Sequence, residues 1–506
     1  MTAPAPPDLQ LHELGSRVRR GLAWKLISQV SLQGSRFVVT VALARILTPH
    51  DFGIAGMVLV LSSFIIPFAD LGMGAAIVQR PSIDDRDRST LFWTSIAAGG
   101  LFTGIGIVVA HWVGDFYGQP AVATLFAVLS TNFLITALGS THRSLLMRAM
   151  DFRSLELRFL AGVAAGAVVG IGVALAGFGP WALVAQELAV AAVSTALLWL
   201  LNPWRPSFTF SRTSLADLGS FGLRALLSDV FVRMNQNADN LLVGRFLGAV
   251  PLGLYALAYN TMVSPLARIV APVQEVLYPA FSRLQADSAS VGRHWLQATR
   301  AVCALCLPAM LGLVVTAPDL VPTVFGNHWR ASAPVLQILA IVGALQCIQS
   351  QHAIVLRALD RTATLLRFTS FSFAANLGAF ALGLHWGIKG VAASFAVSSF
   401  VLAVLFTVIV ARSVGVSPVG FGSALATVMI PAGIMTGVCF AVRRTLVAEG
   451  VPQTLRLLSV VAVGLVVFVP LVVGLNPDLA RRVRRLARRQ ESPAEAPAYG
   501  LLPSDG

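Results

Sequence analysis

Apolar stretches of roughly 18 to 25 residues follow one another from about Gly21 to Val473, each long enough to cross a ~30 Å hydrocarbon layer as a helix. Short polar, arginine-bearing breaks separate them. A water-soluble chain alternates its apolar residues and carries about twice the charge fraction found here. Only 12% of the 506 residues are charged, and mean hydropathy is +0.76. The pattern predicts an all-α polytopic membrane protein, so function is to be sought inside the bilayer.

The predicted spans cover 21–45, 53–78, 89–111, 121–140, 158–177, 180–201 and 215–236. They continue with 250–280, 296–316, 333–356, 364–384, 387–411, 420–442 and 453–474. About 14 transmembrane helices result, with both termini on one side. Residues 1–20 are polar and Pro-rich, so no cleavable signal peptide is expected and the first span serves as the insertion signal. Nearly all nine tryptophans fall at proposed span ends, where indole favours the headgroup region. The longest loop on the far side is expected around 237–249, and it is mostly apolar.

The formal charge of +14 could suggest a nucleic-acid partner, but such proteins gather basic residues on one soluble face. Here they occupy alternate loops. One set holds Arg17, Arg19, Arg20, Arg80, Arg86, Arg88, Arg143, Arg148 and Arg153, with the tail arginines of 481–489. The other holds only Arg45, Arg245, Arg330, Lys389, Arg443 and Arg444. The asymmetry predicts cytoplasmic N- and C-termini. The basic tail run reads as a last anchor that could touch anionic headgroups, and residues after Gln490 read as disordered.

Several chemistries have no foundation in the sequence. Cys303, Cys306, Cys347 and Cys439 sit in apolar stretches and read as packing residues. The eight histidines lack metal-ligand spacing, and no phosphate-cradling Gly-rich loop is present. No metal, cofactor or catalytic residue is expected. Gly162, Gly166 and Gly170, and likewise Gly100 and Gly104, read as close helix-packing positions.

A short internal repeat divides the chain. Arg45, Leu47 and Gly53 align without a gap with Arg245, Leu247 and Gly253. Each segment joins the first and second spans of a six-span set entering from the same side. The result is two pseudo-symmetric six-helix lobes plus two C-terminal helices, a construction that rocks about a site between the lobes. The expected divisions are a 1–20 N-terminal segment, a 21–202 N-lobe, a 203–412 C-lobe, extra helices in 413–474 and a 475–506 tail.

Polar groups at bilayer depth cost roughly 2.5–3.5 kcal/mol for Arg or Asp at a helix centre, so those present need a reason. They concentrate in the first two spans of each set, where a cavity between lobes would be lined. Arg36, Arg224, Arg233 and Arg268 are the candidate cations for an anionic substrate group. Asn235, Asn237, Gln337, Gln346 and Gln349 are candidates to replace water around a polar cargo. Asp70, Asp229, Asp239 and Glu275 are candidates for ion coupling. The blander reading of Asp229 and Arg233 is mutual neutralisation across one helical turn.

The chain resembles bacterial polysaccharide flippases, the Wzx-type lipopolysaccharide and exopolysaccharide exporters of the multidrug/oligosaccharidyl-lipid/polysaccharide superfamily. The blocks carrying the resemblance include LARILTPHDFGIAGM (43–57), DLGMGAAIVQRPS (70–82), GFGPWALVAQ (177–186), NADNLLVGRFLGAVPLGLYALAY (237–259) and GNHWRASAPVLQILAI (326–341). The resemblance implies alternating access in a bacterial inner membrane. It also implies an oligosaccharide joined by diphosphate to a polyprenyl lipid as cargo, a cationic cavity for its headgroup, and polymerase or export machinery as candidate partners. A cation-coupled drug antiporter of the same superfamily and a membrane-embedded polysaccharide polymerase or glycosyltransferase remain the alternatives.

Overall fold

In the computed structural model, residues 34–476 are described, apart from 66–67, 69–73, 75–76, 79–82 and 286 and some side chains inside helices. Helices dominate and no strand occurs among the described residues. The helices are α1 (34–46), α2 (Pro49–Ile65), α3 (Asp85–Tyr117), α4 (Pro120–Leu129), α5 (Thr131–Arg148), α6 (Phe152–Leu175) and α7 (Trp181–Leu201). A second series follows: α8 (Arg212–Leu247), α9 (Ala249–Arg283), α10 (Ser288–Val324), α11 (Ala333–Gln349), α12 (His352–Ala358), α13 (Thr362–Gly383) and α14 (Gly387–Ser413). The chain ends in the pair α15 (Pro418–Ala448) and α16 (Gln453–Leu475).

Among the described residues, nine helical segments are long and apolar enough to cross a bilayer, one of which, Thr362–Ser413, comprises α13 and α14. With α1, α2, α8 and α9, a helix stands at every predicted span. Two spans are broken, at Ser130 between α4 and α5 and at Ser350–Gln351 between α11 and α12. A break inside a bilayer frees backbone carbonyls that no water can satisfy. Thr103 Oγ1 donates to the Ser130 carbonyl at 2.9 Å, and Gln274 Nε2 donates to the Ser350 carbonyl at 2.5 Å.

Local sequence sets the ends. Asp84, Asp151, Asp287 and Ser417 accept backbone N–H groups in the first turns of α3, α6, α10 and α15, all at one face of the molecule. At the opposite face α8 runs unbroken to Leu247 and turns into α9 through Gly248 alone, at φ 90. The loop expected at 237–249 is therefore helix. Its carboxylate is held by a neighbour: Tyr255 of α9 donates to Asp239 at 3.0 Å.

Packing repeats between the halves. The pairs α3–α5, α5–α7 and α6–α7 recur as α10–α11, α11–α14 and α13–α14. The α15–α16 pair packs mainly on α10. Small residues permit the close approaches, as expected where no hydrophobic force separates helix from lipid. A Cβ on Gly162 would come within 2.2 Å of Ser194 Oγ, and one on Gly166 within 2.9 Å of the Gln186 carbonyl. Gly100 and Gly104 meet nothing within 4 Å. The tight positions on α3 are Gly99, Gly106 and Gly114, against Ala137, Ser130 and Ala123.

The described tryptophans range from exposed to fully buried. Trp112 and Trp386 are exposed, as interfacial indoles should be. Trp295 and Trp329 are fully buried: Trp295 stacks on Phe421 at 4.7 Å, and Trp329 donates its indole N–H to the Ala44 carbonyl at 2.7 Å. Their use is packing and bonding, for which a position near a span end gives no warning. The four cysteines are free and buried.

Candidate transport site

The halves meet chiefly where α2 packs on α9 and α8. This seam explains the glycines of the repeat. A Cβ on Gly53 would lie 1.8 Å from the Ala249 carbonyl oxygen, and one on Gly253 would lie 2.0 Å from the Pro49 carbonyl oxygen. Pro49 and Ala249 are themselves repeat-related, so each half presents a glycine to the backbone of the other. Gly56 adds contact with Leu252, and Gly244 with Tyr117 and Met57. The halves are thus closed against each other at the face bearing the 47–48 and 248 turns.

Within the second half, α8, α9, α11, α12, α13 and α14 enclose a cavity of about 330 Å³. Three of the predicted polar residues, Asn235, Gln346 and Gln349, line it, and Gln236, Ser372, Asn376 and Ser399 join them. The rest of the wall is largely aromatic: Tyr259, Phe368, Phe380, Phe395 and Phe406. Its carboxylate is Asp239, which is 3% exposed and accepts from the Tyr255 hydroxyl and the Asn240 N–H, at 3.0 and 2.7 Å. Ser398 Oγ donates to Asn376 Oδ1 at 2.8 Å, fixing that amide, while Ser372 Oγ is buried without a partner. Among the described residues no arginine or lysine is in the lining. One carboxylate among amides, hydroxyls and ring faces suits a small cation or a sugar hydroxyl far better than a diphosphate.

The other predicted residues lie elsewhere. Asn237 turns back to its own helix, donating to the Arg233 carbonyl at 3.1 Å. Gln337 donates to the Val314 carbonyl at 2.7 Å. That carbonyl is free because Pro318, four residues on in α10, has no N–H. Arg36 is exposed on α1, its guanidinium 4.8 Å over the Phe159 ring of α6. Arg233 is half-buried on α8, Asp229 is exposed, and among the described residues no ion pair joins them. Glu275 is exposed on α9. Asp70, and the side chains of Arg224 and Arg268, lie outside the described residues.

The sequence reading passed over Thr369, Ser372, Asn376 and Phe380, which line the cavity from α13. Their spacing of three, four and four residues marks a single helical stripe, and Phe395, Ser399, Leu402 and Phe406 repeat it on α14. That periodicity, not hydropathy, was the available signal.

Two bundles of repeated packing, each with one interrupted span, make up the fold among the described residues. The fold matches the lipid II flippase MurJ in an inward closed conformation, with a TM-score of 0.74 at 13% identity over 90% of this chain and 99% of that one. An inward-facing multidrug resistance MATE transporter gives 0.62 at 16% identity, over 77% of this chain and 98% of the other. Residues 42–334 match the polysaccharide biosynthesis protein family, and the chain belongs to that family. It is 30% identical to the lipopolysaccharide biosynthesis protein WzxC of Escherichia coli K12, over 69% of this chain and 72% of WzxC. It is 27% identical to the succinoglycan biosynthesis transport protein ExoT of Rhizobium meliloti 1021, over 72% of this chain and 74% of ExoT.

Proposed function

We propose that this protein flips a polyprenyl-diphosphate-linked oligosaccharide from the cytoplasmic to the periplasmic leaflet of a bacterial inner membrane, for surface polysaccharide export. The observation that carries this reading is the coincidence of two independent likenesses. The sequence belongs with polysaccharide biosynthesis proteins, while the fold is that of a lipid II flippase over almost its full length. A multidrug resistance transporter also shares the fold, at a lower TM-score of 0.62. The relatives and structures compared above carry names of polysaccharide biosynthesis, transport or flipping, which favours the flippase reading over a polymerase or glycosyltransferase.

The physical need for such a protein is large. Each sugar hydroxyl moved unpaired into hydrocarbon costs about 4–8 kcal/mol, so one saccharide unit faces tens of kcal/mol. In this reading residues 21–202 and 203–412 act as lobes, with 413–474 carried on the second. The arginine asymmetry sets both termini in the cytoplasm, which makes the closed α2–α9 seam the periplasmic side. The lipid tail stays in the bilayer, and Arg36, Arg224, Arg233 and Arg268 serve the diphosphate as permanently charged forks. Asp239, buried in a cavity whose described lining residues include no cation, is the carboxylate proposed to bind a coupling cation; Asp70, Asp229 and Glu275 are subordinate candidates. Outward movement of the anionic headgroup from a negative interior is favoured by about 2.3 kcal/mol per charge per 100 mV.

A deletion strain tests the reading. It should lose surface polysaccharide while lipid-linked oligosaccharide accumulates in the inner membrane, and a plasmid copy should reverse both. Unchanged polysaccharide, with no accumulated precursor, would overturn the proposal.

A further inference from the structure

The last four carbonyls of any α-helix lack N–H partners within the helix. In α10 all four can be traced. Phe325 N–H takes Val321 O at 2.9 Å and Gly326 N–H takes Pro322 O at 3.2 Å. The other two are taken from the opposite half of the molecule. Arg45 Nη2 donates to Thr323 O at 2.5 Å, and its Nε donates to Val324 O at 2.8 Å. The exchange is reciprocal. At the end of α1, Thr48 N–H bonds Asp51 Oδ2 instead of the Ala44 carbonyl, and Trp329 of the second half fills that carbonyl with its indole N–H at 2.7 Å. Phe52 packs edge-on against the same indole at 5.0 Å.

Arg45 has a repeat-mate, Arg245, facing the corresponding end of α3. The outcome there differs. Gly118, at φ 63, and Gln119 return their N–H groups to Asp115 O and Gly114 O, as Phe325 and Gly326 do for Val321 O and Pro322 O in α10. Arg245, however, lies over the Phe116 ring at 5.3 Å, whereas Arg45 takes the two carbonyls that the backbone leaves in α10.

We infer that Arg45 is a one-sided latch: it holds the two halves shut at this face by gripping the bare C-terminal carbonyls of α10, a role Arg245 does not share. Arg45 and the carbonyls it grips are reachable by water, so opening exchanges protein partners for solvent instead of stranding them. A permanently charged fork matched to two adjacent carbonyls makes the grip directional. The inference rests on the reading that these halves separate during transport, but its test reads conformation and needs no polysaccharide.

Spin labels at Phe178→Cys and Trp386→Cys, exposed positions on equivalent turns of the two halves, report the separation by pulsed electron resonance. The native cysteines are buried and give little background. Arg45→Ala should populate a longer distance at least threefold over the unsubstituted protein, whereas Arg245→Ala should leave the distribution unchanged. Trp329→Phe, which removes only the indole donor, should shift it in the same direction by less, and it stands in if Arg45→Ala does not fold. Equal shifts for the two arginines, or no shift with Arg45→Ala or its stand-in, would overturn the latch. Loss of flipping by the deletion strain with no such shift would leave the transport reading intact and remove this one alone.

Discussion

Asp239 is where the chemistry of single residues weighs most. A buried carboxylate is retained only when its acceptors are used, and here Tyr255 and the Asn240 N–H occupy part of its capacity. The remainder faces the cavity. Asp239→Asn preserves shape and hydrogen bonding while removing charge, so it should fold normally yet reduce flipping about tenfold and abolish its response to an imposed cation gradient. Tyr255→Phe should cost about 1 kcal/mol of stability with the gradient response kept. Flipping by Asp239→Asn that still follows the gradient would exclude this carboxylate from coupling. Gln346 and Gln349 stood out in the sequence because amides inside a span are anomalies that demand a use, and Asn235 and Asp239 because polar residues crowd the exit of the 215–236 span. Ser372 and Ser399 were not, since hydroxyls in helices commonly bond their own backbone. Gln337 looked equally anomalous, but it serves a carbonyl freed by Pro318, a partner that no one-dimensional pattern identifies.

Among the elements, α10 carries the ties to the two extra helices. Asp319, 1% exposed, binds Arg443 of α15 at 2.5 Å and Arg456 of α16 through both Nε and Nη2, with 2.8 Å for the former. Gln453 donates to the Pro318 carbonyl, left open by the missing N–H of Pro322. At the other end Arg300 bonds Asn476, whose amide also reaches the Thr427 carbonyl. The extra helices are therefore fastened to α10 at both ends, so they should travel with the second half as one body. Removing one member of a buried ion cluster is costly because the partners stay behind. Asp319→Ala should cost about 3 kcal/mol, seen as a lower melting temperature in detergent. Replacing Asp319, Arg443 and Arg456 together by apolar residues of similar volume should recover most of it. A triple variant no more stable than Asp319→Ala would show that the charges do more than neutralise each other. The sequence put Arg443 among the few cations of its face but gave no hint of Asp319, since pairing across 124 residues leaves no local trace.

At the scale of the whole molecule, the architecture was readable because two physical rules operate almost without competition in a bilayer. Spans must be long, apolar and helical, and basic loops choose a side. The repeat of Arg45, Leu47 and Gly53 at Arg245, Leu247 and Gly253 disclosed the duplication, and the structure gives the glycines their reason, a mutual contact of backbones across the seam. What the sequence did not disclose is that a described polar cavity lies inside the second half, because depth in a helix can be read from sequence while the facing neighbour cannot. The division of labour proposed is a carboxylate pocket in the second half and a seam between the halves that opens. Purified protein in liposomes holding a fluorescent polyprenyl-diphosphate oligosaccharide tests it most directly, using an impermeant quencher added outside. The account predicts that quenching rises from the outer-leaflet fraction of about half towards completion, and that Arg45→Ala slows the rise. Quenching that stops at the outer-leaflet fraction, with protein folded and inserted, would contradict it.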